Sequence, residues 1–102
     1  VPLFADSVDI YKVNLYKNKQ LIYKDTQIQL YYDKIAFNGI TAYFDDNISV
    51  TVLGRNKLNI YINDCVYQIK GEKCFNALKY VNFYNHYKNI SEGKTDEQFL
   101  GL

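Results

Sequence analysis

"VYQIKGEKCFNALKYVNFYNHYKN", Val66 to Asn89, begins as a strand, halts at Gly71 and continues as a helix. Up to Lys70 the apolar residues alternate with period two. From Glu72 onward good helix formers follow, and Cys74, Ala77, Leu78, Val81 and Tyr84 fall on one stripe at 100° per residue. The spacing predicts a helix over about 72–90 with that stripe turned inward. Such a helix would plug the open end of a β barrel, covering apolar residues and strand edges that would otherwise meet water.

The residues before it read almost entirely as strands. "VDIYKVNLYKNKQLIYK" carries Ile10, Val13, Leu15 and Leu21 as its inward set and breaks at "KNK", a hairpin turn. "TQIQLYYDKIAF" alternates through Ile28, Leu30, Ile35 and Phe37, with a tight turn at Tyr32-Asp33-Lys34. Asn38-Gly39 fits a type I′ turn, which needs φ > 0 at both central residues. Beyond "ITAYF" and the loop Asp45-Asp46-Asn47, three more strands bring Ile48, Val50 and Val52, then Leu58, Ile60 and Ile62, then Cys65, Tyr67 and Ile69 to one side. About seven short antiparallel strands at this spacing make a meander that curls into a barrel or sandwich. The fold class is mainly β with one C-terminal α-helix (α+β), in one domain over 8–90. Residues 1–7 read as a linker or N-terminal extension and 91–102 as a tail that ends in the apolar "EQFLGL".

Composition narrows the function classes. The chain has 102 residues, a net charge of +1, eleven Tyr, six Phe and no Trp. That charge supplies no strong field for nucleic acid, and no run approaches the ~18 apolar residues of a membrane span. Cys65 and Cys74 lack metal-type spacing to other ligands and read as buried thiols of a reducing cytoplasm. The absence of any Met, including an initiator, points to a piece of a longer chain or to removal of a leading Met.

No catalytic pattern stands out. His86 is the only histidine and reads as a capping or surface residue, and Asp45-Asp46 read as turn formers. The glycines are scattered singly, without a phosphate-cradling cluster. The expectations are therefore no metal, no cofactor and no enzyme chemistry in this chain. Two surfaces stand out instead. Lys12, Lys17, Lys19 and Lys24 flank the first hairpin as candidates for holding an anionic headgroup, although lysines on an edge strand also discourage unwanted pairing. Tyr80, Phe83 and Tyr87 form a second helical stripe, half a turn from the first, as candidate contacts with a partner.

Seven strands and a closing helix over Val8 to Lys88 resemble the pleckstrin-homology-like barrel, which includes GRAM domains. The chain departs from that pattern in lacking a helix Trp and any Arg in the Lys17–Lys19 turn, which argues against specific inositide recognition. Within "GRNKLNIYINDCVYQIKGEKCFNALKYVNFYNHYKN" (Gly54 to Asn89), the words "GRNKL", "YQIKG" and "FNALKYVN" are similar to the segment that follows the catalytic domain in some bacterial lysophospholipid (1-acylglycerol-3-phosphate) acyltransferases. That family's catalytic H-x-x-x-x-D is absent, since Ser91 stands where the acid after His86 would be. The resemblance implies a non-catalytic docking or regulatory module of a larger bacterial protein at the inner face of the membrane. Its partners would be the parent's catalytic domain or a second copy through the outer helix face, together with an anionic membrane surface. The alternative is a free-standing peptide or partner binder.

Overall fold

The computed structural model describes residues 1–14 and 18–91. Seven strands precede one helix: β1 (Phe4–Val13), β2 (Lys19–Leu30), β3 (Lys34–Phe37), β4 (Ile40–Tyr43), β5 (Ile48–Val52), β6 (Lys57–Ile62), β7 (Cys65–Gly71) and α1 (Ala77–Ser91). All neighbours pair antiparallel in the order β4-β3-β2-β1-β7-β6-β5. The sheet curls into a nearly closed barrel compatible with the pleckstrin-homology-like architecture.

Turn chemistry sets the hairpins. Asn38 and Gly39 both take positive φ, 45° and 78°, as the β3–β4 turn requires. The longest strand, β2, crosses Asp25 instead of breaking there. The register between β1 and β2 shifts between Val8 and Ile10, so that Lys24 and Asp25 together stand opposite Asp9 in a bulge. Asp25 sits at φ 50°, and its N–H donates to Asp9 Oδ1 at 2.9 Å. A side chain thus supplies the acceptor that the interrupted ladder lacks.

The core joins both halves of the sheet: Ile10, Ile28, Leu30, Ile35, Phe44, Leu58, Ile60 and Ile69 are fully buried. Each is worth about 1.5–3 kcal/mol of apolar transfer. Two sequence expectations fail, the first of them on strand parity. Val13 and Leu21 share the outer face with Tyr11, because Tyr11 pairs with Leu21 and Ile10 with Ile69. Val52, at the end of β5, is exposed. Leu15 lies outside the described residues.

The N-terminal stretch also differs from expectation. Phe4 to Ser7, read as linker, are the first residues of β1 and pair with Leu30 to Gln27 of β2. Their side chains hold the helix. Tyr80 of α1 is fully buried and donates to Asp6 Oδ2 at 2.5 Å, Lys79 Nζ lies 3.0 Å from the same oxygen, and Phe4 stands edge-on to Phe83. Burial first, then the bond to Asp6 and its charge, push the Tyr80 phenol far above its ordinary 10.0. The helix begins later than the sequence suggests, because Asn76 caps it by accepting from the Leu78 N–H at 3.2 Å. Glu72 to Asn76 form the connection, and Gly71 makes it possible. A methyl group at Gly71 would overlap Phe75, and the Gly71 backbone is held on both sides by Asn56.

Gly71→Ala should therefore cost about 2 kcal/mol by overpacking, read as a lower urea midpoint at unchanged slope. Tyr80→Phe should cost about 1–3 kcal/mol at pH 7 by stripping Asp6 of one partner. Folding keeps Tyr80 protonated, so its contribution is complete below the unfolded phenol value of about 10 and declines as pH rises above it, by up to about 1.4 kcal/mol per pH unit. Urea titrations at pH 7 and pH 11 should show the variant losing less on alkalinisation than the parent. Equal losses would refute the assignment.

Candidate partner groove and charged surfaces

Helix α1 buries Ala77, Val81 and Tyr84 as its apolar spacing suggests, but its inward face is centred on Tyr80 and leaves Leu78 and Cys74 out. Ala77 and Tyr80 are buried, with Val81, Phe83, Tyr84 and Tyr87 partly buried beside them, whereas Leu78 is half-exposed and Cys74 is exposed ahead of the helix. Three tyrosines dominate this face because each hydroxyl finds an acceptor. Tyr80 uses Asp6, Tyr84 donates to the Ile48 carbonyl at 2.9 Å, and Tyr87 donates to Asp45 Oδ1 at 2.6 Å. A buried ring with a satisfied hydroxyl contributes like any apolar side chain of its size.

The proposed outer stripe is therefore corrected residue by residue. Tyr80 is a core residue and offers no partner contact. Tyr87 packs on Phe44 and Tyr32, and its phenol is raised above the ordinary value by the hydrogen bond to Asp45, then by burial and by the charges of Asp45 and Asp33. Phe83 is partly buried against the core and edge-on to Phe4. It lines a pocket of about 240 Å³ with Tyr32, Asn82 and His86.

Tyr32 reaches the pocket from the β2–β3 turn, its ring 6.5 Å from His86 and nearly perpendicular to it. Phe4, from the far side of Phe83, and Tyr32 are both about half-exposed. The pocket is smaller than the ~300–1,000 Å³ of small-molecule sites, a size suited to anchoring one apolar side chain. Sequence reading missed Tyr32, and no local signal marked it; only the fold brings the turn against the helix. His86 sits on the helix flank rather than at a cap.

A second, polar cleft of about 240 Å³ opens where β7 leaves β1 and is lined by Ser7, Val8, Asp9, Asp25, Lys70, Gly71 and Glu72. Its acids do not converge, and Asp9 is already engaged with Asp25. Among the described residues no cluster of His, Cys, Asp and Glu is placed to hold a metal.

The hairpin lysines do not form one rim. Lys12 pairs across to Gln20, whereas Lys19 pairs with Val13, so the two point to opposite faces. Lys19 Nζ lies 4.5 Å over the Tyr11 ring, and Lys24 stands exposed on the bulge. Lys17 and the tail 92–102 lie outside the described residues. Among the described residues, no helix is long and apolar enough to cross a membrane. Neither protein-family models nor curated protein sequences give a match to this chain.

Proposed function

We propose that this chain is a non-catalytic interaction module of a larger bacterial protein, a docking or regulatory unit beside a membrane-associated lysophospholipid acyltransferase domain. The observation that carries the docking part is the pocket on the helix flank. Phe83, Tyr32 and His86 surround an apolar hollow that the domain's own packed core leaves open. Partner surfaces characteristically anchor one large apolar side chain in such a hollow, with polar residues at the rim. The likeness of Gly54–Asn89 to the segment behind acyltransferase catalytic domains supports the identity of the neighbour. A free-standing peptide binder would use the same pocket, with a separate chain as its occupant.

The test has two parts. In the source gene, an H-x-x-x-x-D coding region in frame with Val1 would support the acyltransferase neighbour, and a start codon immediately before Val1 would overturn it. Docking is tested at Asn82, which is exposed and lines the pocket. Asn82→Arg should leave the urea midpoint within about 0.5 kcal/mol of the parent. It should weaken co-purification with the separately expressed upstream region at least tenfold. Undiminished co-purification would remove the pocket from the docking surface.

A further inference from the structure

The pocket on the α1 flank is walled by rings that the domain's own core leaves partly uncovered. Phe83 and His86 from the helix and Tyr32 from the β2–β3 turn enclose about 240 Å³, and Tyr32 is half-exposed. Phe4 stands edge-on to Phe83 and extends the apolar surface, with Leu3 exposed just before it. Ile90, one turn beyond His86 on the same helix face, is exposed as well. A run of apolar surface therefore leads from the helix end to the pocket, and any chain laid over it would gain apolar transfer.

The chain that follows Ser91 lies outside the described residues, but its sequence divides in two. Glu92 to Gln98, "EGKTDEQ", holds no large apolar residue, whereas "FLGL", Phe99 to Leu102, is apolar throughout. That is a polar tether followed by an apolar anchor. Asn82, Phe83 and His86 lie five to nine residues before Ser91, about 8–14 Å back along the helix axis at 1.5 Å per residue. The eight residues from Ser91 to Phe99 can span up to about 26 Å. Reach exceeds the need, and Gly93 supplies the residue type with which chains commonly turn back after a helix.

We propose that Phe99, with Leu100 beside it, occupies this pocket in the full chain, so that the tail and a docking partner compete for one site. A phenyl ring among Tyr32, Phe83 and His86 gains edge-on aromatic contacts worth about 0.5–1.5 kcal/mol beyond its burial. A tethered anchor also acts at an effective concentration in the mM range, which lets a weak contact fill the pocket. A pocket filled to about nine-tenths by its own tail weakens a competing partner about tenfold. The seat follows from the pocket and the tether alone, and the competition rests on the docking reading given above.

His86 is the only histidine, so its imidazole protons are a unique NMR probe inside the pocket. In the full chain they should show nuclear Overhauser contacts to the Phe99 ring that persist on dilution. Phe99→Ser should remove those contacts and shift the His86 signals, while Thr95→Ser leaves both in place. It should also strengthen co-purification with the separately expressed upstream region about three- to tenfold. Absence of contacts between His86 and Phe99 would overturn the proposal. So would contacts that vanish on dilution, because the tail in the pocket would then belong to a second copy. If Phe99→Ser leaves co-purification unmoved while Asn82→Arg weakens it, the competition is overturned and the docking reading stands. If the Phe99 contacts are present but Asn82→Arg leaves co-purification intact, the docking reading falls and the tail keeps its seat.

Discussion

Everything in this domain depends on β1 having two partners. Its N-terminal residues pair with β2 alone, its C-terminal residues pair with both β2 and β7, and no other strand contact joins β2–β4 to β5–β7 in the sheet order. A straight strand could not serve two halves of a strongly curled sheet. The bulge at Lys24-Asp25 relieves that conflict by adding residues to β2 where β1 must bend, and Asp9 repairs the broken ladder with its own carboxylate. The apolar cost of losing this alignment would be large, because Val8 and Ile10 sit fully inside at the junction.

The same strand recruits the helix. Asp6 and Tyr80 are 74 residues apart in sequence, yet their hydrogen bond is part of what anchors α1 over the barrel end. β7 pairs with β1 up to Gly71, Phe75 lies against that glycine, and the helix that follows sets Tyr80 against Asp6. A helix with few aliphatic residues therefore holds its place through rings whose hydroxyls are individually satisfied. This explains why the stripe of Cys74, Ala77, Leu78, Val81 and Tyr84 finds Ala77, Val81 and Tyr84 at the core but misses Tyr80.

Local chemistry was legible in the sequence, and long-range choice was not. Asn38-Gly39 specified its turn unaided, alternation placed Ile28, Leu30, Ile35 and Phe37 inside, and Gly71 marked the boundary between sheet and helix. Tyr80 and Tyr87 were placed on the outer stripe because periodicity treats tyrosine as indifferent to burial, whereas acceptors at Asp6 and Asp45 decide the matter, and neither is near in sequence. Phe4 to Ser7 looked like a linker because their reward comes from β2 and α1, both remote. Of the candidate site, Phe83 was visible as an apolar residue without a home. Its neighbour Tyr32 belongs to a turn that only tertiary structure brings near.

Charge shows the same division between sequence and fold. A net charge of +1 is silent about distribution, and the clustering of Lys12, Lys17, Lys19 and Lys24 along the chain does not survive strand parity, which sends Lys12 and Lys19 to opposite faces. Pairing instead brings Lys57 and Lys70 together from different strands. A cross-strand lysine pair costs about 0.2–1 kcal/mol against a neutral one, an amount that a single substitution would recover. Folding gains nothing from that opposition. The alternation that turns Leu58 and Ile69 inward sends Lys57 and Lys70 outward together, so the opposition is a by-product of burying the core.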